Sequence, residues 1–135
     1  TLNSYLVAGT GNKIEDFGVG FYTKYGDGGV DLSPIADLLK SQVFKIAKQL
    51  DIIESIQSAA PTDGLWGDDR TDEQQMGASY DELEWAMEAL EKKIDIDNLT
   101  KQQKEVIKIY QKLNSQNKHK MEPIPVCKIP CALLE

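Results

Sequence analysis

With 135 residues, 41% of them hydrophobic, the chain is long enough for one core and too apolar for a disordered tail. A formal net charge of −7 argues against general nucleic-acid binding, because a duplex repels such a surface unless a local basic patch overrides it, and none stands out. No apolar run reaches transmembrane length and the first residues carry no secretory pattern, so the expectation is a cytoplasmic protein that meets neither membrane nor nucleic acid.

In chain order, "SYLVAGT" (4–10) is a short apolar run with a small-residue end and reads as a buried strand feeding a loop. From residue 7 to 34 the chain holds seven of its ten glycines among Lys13, Glu15, Asp16, Lys24, Asp27 and Asp31, with no regular hydrophobic period. "SPIADLLKSQVFKIAKQL" (33–50) then predicts an amphipathic helix with Ser33 as N-cap and Pro34 at its first position. Asp51 and Glu54 suggest a capping box for a short helix through Ala59, stopped by Pro61. The acidic stretch from Thr62 to Gly77 reads as a long loop. Ser79 with Glu82, and Thr100 with Gln103, are capping boxes that open two more helices, whose inner faces carry Tyr80, Leu83, Ala86, Met87 and Leu90, and Val106, Tyr110 and Leu113. Cys127 and Cys131 lack zinc-site spacing and read as reduced thiols.

One credible strand cannot make a sheet, and a strand buried on both faces needs neighbours for its backbone groups. The expected fold is therefore α/β, the C-terminal half of a Rossmann-like parallel-sheet domain, mostly helical within residues 1–135. An opening Thr1 rather than Met agrees with that expectation.

A strand ending in "AGTGN" places N–H groups where open α/β folds bind ligands, although a Gly-Thr-Gly is more often a plain turn. Glu15 is a hard oxygen ligand suited to Mg²⁺, or a solvated carboxylate. Lys24 and Asp27 in "TKYGDGG" suit a charged substrate, or a polar turn. Lys40 reads as a surface lysine, and His119 with Lys120, just past the last helix, as cations favoured by the helix dipole.

Together and in order, "GTGNKIED", "TKYGDGGVDLSPIADLLK", "PTDGLW", "TDEQQMGASYDELEWAM" and "HKMEPIP" resemble the C-terminal half of ammonia-dependent NAD synthetase, an ATP-pyrophosphatase of the adenine-nucleotide hydrolase-like superfamily. The resemblance runs from about residue 6 to residue 125. It implies a two-step amidation of deamido-NAD that consumes ATP with Mg²⁺, passes through an acyl-adenylate, and releases pyrophosphate and AMP. By the same resemblance Thr10, Lys40 and Thr62 contact ATP, and Glu15 holds the metal, with Asp16 as an alternative because one extra residue precedes "TKYGD". Lys24, Asp31, His119 and Lys120 bind deamido-NAD, and Asp27 orients or deprotonates the ammonia nucleophile. Met121 stands where the family usually has Arg. The resemblance also implies a homodimer, ammonia supplied free or by a glutaminase domain, and closure of the 63–77 segment over substrate. The family's serine-glycine-glycine pyrophosphate loop has no counterpart in these residues, so the isolated chain is expected to be inactive. The alternative is a non-catalytic dimerisation or interaction module derived from this fold.

Overall fold

The computed structural model describes residues 3–133. Its elements are a π-helix over Lys13–Val19 and five α-helices: α1 (Lys40–Gln49), α2 (Glu54–Gln57), α3 (Asp72–Met76), α4 (Tyr80–Glu91) and α5 (Lys101–Met121). Short 3₁₀ turns lie at Ile96–Asn98 and Cys131–Leu133. The core forms where the π-helix, α4 and α5 meet, with Ile14, Val19, Leu83, Ala86, Val106, Ile107 and Tyr110 buried together.

The capping boxes of α4 and α5 form as expected. Ser79 and Thr100 accept from the N–H groups of Glu82 and Gln103, whose side chains reach back to the cap N–H at 3.0 Å in each case. The same device, Thr71 with Gln74, opens α3 inside the stretch expected to be a loop, and Gly77 in the left-handed region closes it. With only five residues, α3 is too short to show a helical period.

Other elements depart from expectation for identifiable reasons. The segment 7–34 does not stay irregular: Lys13–Val19 winds as a π-helix, where i→i+5 bonding hides its buried residues from a search at 3.6 residues per turn. Asn12 is buried at its N-terminus and accepts from the N–H groups of Ile14 and Glu15 at 3.0 and 3.1 Å. The helix predicted from Ser33 begins at Lys40, after a turn over residues 34–37. Tertiary contacts decide this start: the Leu38 carbonyl accepts from the Lys13 N–H at 2.8 Å, and Glu84 of α4 caps the Ser41 N–H and hydroxyl at 2.9 and 2.7 Å. Asp51 does not cap α2, whose N-cap is Ile53. It lies at φ +51° and ends α1 instead, with Asp51 N–H bonding the Lys48 carbonyl and Ile52 N–H bonding that of Ala47, the pattern of a Schellman motif.

The expected buried strand is reduced to one parallel bridge, Ala8 to Leu32, in which Gly9 N–H donates to the Leu32 carbonyl at 2.7 Å. Tyr5, Leu6 and Val7 are exposed, because no further strand among the described residues lies against them. The apolar side of α1 is likewise uncovered: none of its residues is buried, and Phe44 and Ile46 are exposed with Leu50, Ile53 and Ile56 nearby in sequence. Cys127 and Cys131 are free and exposed. No described helix is long and apolar enough to cross a membrane.

Candidate functional site

The starts of α1 and α4 meet the Glu15 carboxylate, and that of α3 joins them through Tyr80. Glu15 lies in the first turn of the π-helix, while Lys40, Asp72 and Tyr80 are the first residues of α1, α3 and α4. Lys40 Nζ donates to Glu15 Oε1 at 2.9 Å, with the two side chains only 19% and 14% exposed. The Tyr80 hydroxyl donates to the same oxygen at 2.6 Å and lies 3.2 Å from Asp72 Oδ2. Lys40 Nζ also sits 4.9 Å from the centre of the Tyr80 ring, a cation–π distance. Burial raises the Tyr80 hydroxyl pKa, and the Glu15 carboxylate raises it further, so this phenol stays protonated and donates. Burial also pushes the Asp72 carboxyl upward against the lowering hydrogen bond from Tyr80. Asp72 Oδ1 is buried and meets no donor among the described residues.

A separate cleft of about 600 Å³ is walled by Tyr22, Thr23, Asp27, Asp63, Asn117 and Lys120 among others. Its floor depends on an every-third-residue ladder along α5 that satisfies the carbonyls at the end of the π-helix and just beyond. Asn114 Nδ2 donates to the Gly18 carbonyl at 2.8 Å and Asn117 Nδ2 to that of Val19 at 2.9 Å. Lys120 Nζ donates to the Gly20 and Tyr22 carbonyls at 2.9 and 2.7 Å, and the Tyr22 hydroxyl returns a bond to the Lys120 carbonyl. Desolvation lowers the Lys120 pKa while Asp27 opposes the shift. The 62–70 segment sends Asp63 and Leu65 to the rim, and its neck is closed by Asp72 N–H to the Pro61 carbonyl at 3.0 Å and Thr62 Oγ1 to that of Arg70 at 3.1 Å.

The structure thus brings Glu15 and Lys40 together, and separately places Asp27 and Lys120 on one cleft. Several other residues singled out in the sequence are engaged locally. Asp31 accepts from the Val7 N–H at 2.8 Å, Lys24 Nζ donates to the His119 carbonyl, and Thr62 holds the loop neck. His119 is exposed in the last turn of α5 rather than beyond it, and Thr10 is exposed. Tyr80, Asp72, Asp63 and Asn117 were not among the expected site residues. Tyr80 scans as core, and its place at the first position of a capped helix was the only sequence signal that its hydroxyl faces a site.

Asp16 shares the acidic side of the site. Its pKa is raised from 3.8 to about 6, first by burial and then by Glu15 and Asp27. The unfolded chain therefore loses this proton first, and the native state loses stability as pH rises through that window, by about 1 kcal/mol after allowance for solvent screening at a half-exposed group. Asp16→Asn is expected to raise the urea midpoint at about pH 7.5 and to leave it unchanged at about pH 2.5, where both states hold the proton. An equal gain at both pH values would assign the effect to something other than this charge.

For a divalent cation, the lining offers oxygen but not a cage. Lys40 and Tyr80 both occupy Glu15 Oε1, whereas Oε2 takes no hydrogen bond among the described residues. No group of three His, Cys, Asp or Glu side chains converges as a metal set among the described residues. One carboxylate with phosphate and water oxygens is an ordinary surrounding of Mg²⁺, and an Oε2 without a hydrogen bond is compatible with that ion.

The helical unit thus gathers Lys40 with the carboxylates of Glu15 and Asp72, and its cleft is walled by groups of both charge signs, Asp27, Asp63 and Lys120. A family model described as NAD synthase matches residues 2–124, and the chain belongs to that family. The NH(3)-dependent NAD(+) synthetase of Archaeoglobus fulgidus is 41% identical over 124 residues, covering 92% of this chain and 47% of that protein. The protein of the same description from Picrophilus torridus is 44% identical over 117 residues, covering 86% of this chain and 45% of its own length. Among solved structures, the NMN synthetase from Francisella tularensis matches with a TM-score of 0.74 at 29% identity, over 92% of this chain and 47% of that one. The NH3-dependent NAD synthetase from Campylobacter jejuni, in complex with the nitrate ion, matches with a TM-score of 0.67 at 23% identity, over 94% and 47%, and bears on the fold alone. The chain spans about half the length of the relatives it matches.

Proposed function

We propose that this chain is the C-terminal part of an NAD synthetase that amidates deamido-NAD at the expense of ATP. Membership of the NAD synthase family carries the reading, and the Glu15–Lys40 pair at 2.9 Å gives it a chemical centre. In the first step the nicotinate carboxylate attacks the α-phosphate of ATP, the bond to the β-phosphate oxygen breaks, and pyrophosphate leaves. Lys40 supplies a mobile positive charge to the phosphates, joined by Thr10 and Thr62, and Glu15 would hold Mg²⁺. When bound, that ion neutralises phosphate charge. In the second step ammonia attacks the acyl carbonyl, the bond to AMP breaks, and nitrogen loses a proton to Asp27 or through it. Lys24, Asp31, His119 and Lys120 bind deamido-NAD, and of these Lys120 lines the cleft. The 63–77 segment, α3 included, closes over it to keep water from the adenylate. A Rossmann-like parallel sheet, a homodimer and a cytoplasmic setting complete this reading. The uncovered apolar residues of α1 and of the 5–7 segment support it, since a chain of this kind needs further structure against them.

The test compares the 135 residues alone with a chimera in which the N-terminal part of the Archaeoglobus relative precedes them. NAD formation from deamido-NAD, ATP and ammonium is expected from the chimera and not from the chain alone. A folded chimera that makes no adenylate removes the assignment. In the active form, Asp27→Asn is expected to slow amide formation more than adenylate formation, read by single-turnover release of AMP and pyrophosphate. Equal loss in both steps would leave Asp27, whose carboxylate accepts from the Thr23 N–H at 2.8 Å, a turn residue only.

A further inference from the structure

The Glu15–Lys40 pair is not free to choose its own geometry. Tyr80, buried at the start of α4, contacts both members at once: its hydroxyl donates to Glu15 Oε1 at 2.6 Å and its ring lies 4.9 Å from Lys40 Nζ. Because both donors converge on Oε1, Oε2 is the oxygen left over for another ligand. Tyr80 is itself held from behind. Its N–H donates to Glu73 at 2.8 Å, and its hydroxyl lies 3.2 Å from Asp72 Oδ2. Asp72 is 8% exposed, carries the orphan oxygen Oδ1, and donates its own N–H to the Pro61 carbonyl at the neck of the 62–70 segment.

We propose that Tyr80 is a positioning residue that fixes Oε1 of Glu15 so that Oε2 faces the cation accompanying the nucleotide, and that Asp72 ties this setting to the neck of the 62–70 segment. The proposal rests on the ATP-dependent reading given above. A buried phenol needs an acceptor, and this one takes the oxygen that also holds Lys40 while its ring lies 4.9 Å from that ammonium, so one residue touches both members of the pair. The arrangement allows Lys40 to leave Glu15 for a phosphate while Tyr80 keeps the carboxylate in place.

The test uses Mn²⁺ as the probe, titrated into the full-length protein with ATP present and followed by electron paramagnetic resonance, together with the thermal midpoint. Tyr80→Phe keeps the ring and is expected to weaken Mn²⁺ binding by about tenfold, the usual order for a group that orients a metal ligand. In a Glu15→Gln background, adding Tyr80→Phe is expected to cause no further loss. Asp72→Asn keeps Tyr80 intact and is expected to weaken Mn²⁺ binding by a smaller factor, which maintains the test if Tyr80→Phe does not fold. Mn²⁺ affinity within twofold of the parent for both variants, or losses from Tyr80→Phe and Glu15→Gln that multiply, would overturn the proposal. A parent protein that binds no Mn²⁺ with ATP would sink the ATP-dependent reading and the proposal with it. Binding by the parent that both variants preserve sinks the proposal alone.

Discussion

On the proposed NAD synthetase reading, Lys40→Ala in the active form is expected to slow adenylate formation by roughly tenfold to a hundredfold, since a charge-assisted contact to a phosphate is worth about 1.5–3 kcal/mol. The effect on stability needs separate treatment. Among the described residues, Glu15 loses its one cationic partner and keeps only Tyr80, with a side chain that is 14% exposed. An abandoned carboxylate in that setting costs on the order of 1–3 kcal/mol without ligand, less than a fully buried one because solvent reaches Oε2. Combining Lys40→Ala with Glu15→Gln is therefore expected to recover most of the lost urea midpoint and none of the adenylation, measured as pyrophosphate exchange into ATP. Unchanged exchange in Lys40→Ala would remove its phosphate role. Full recovery of exchange in the pair would make the lysine a neutraliser of Glu15 and nothing more.

What the sequence revealed and what it concealed divide along a physical line. The starts of α4 and α5 were legible because a capping box is a local device: Ser79 and Glu82, or Thr100 and Gln103, satisfy each other without help from the rest of the chain. The start of α1 was not, because Ser33 and Pro34 give an equally good local signal that Lys13 and Glu84 override from other elements. Asp51 shows the limit from the other side, since the same residue serves as a helix start or as a left-handed helix end, and the two roles differ by one backbone angle.

The period of α1 correctly reports an apolar face, yet periodicity says only that the face needs cover, not where the cover lies. Phe44 and Ile46 remain exposed in a chain that spans 47% of its Archaeoglobus relative. At the candidate site, Glu15 and Lys40 are 25 residues apart and were linked only through resemblance, while Tyr80 was hidden by its apolar neighbours. The ladder of Asn114, Asn117 and Lys120 could not be foreseen either, because it exists to satisfy carbonyls of a π-helix that has no familiar sequence signature.

That ladder makes Gly20 the position where the smallest change should do the most harm to the fold. Gly20 closes the π-helix at φ +65°, and a Cβ there would lie 2.4 Å from Asn117 Cβ. Two costs add. A left-handed backbone costs a residue with a Cβ about 1–2 kcal/mol, and overpacking at a close contact adds about 1–3 kcal/mol. The second cost falls on α5, which must withdraw and so loosens the bonds of Asn117 to the Val19 carbonyl and of Lys120 to those of Gly20 and Tyr22. Gly20→Ala is accordingly expected to lower stability by about 2–5 kcal/mol, a large share of the 5–15 kcal/mol typical of a domain. Gly77→Ala separates the two costs, because Gly77 also has a left-handed φ of +83° but nothing within 4 Å of its Cβ position. It is expected to lose only about 1–2 kcal/mol. Equal urea midpoints for the two variants would mean that α5 yields without cost and that its ladder does not hold the floor of the cleft.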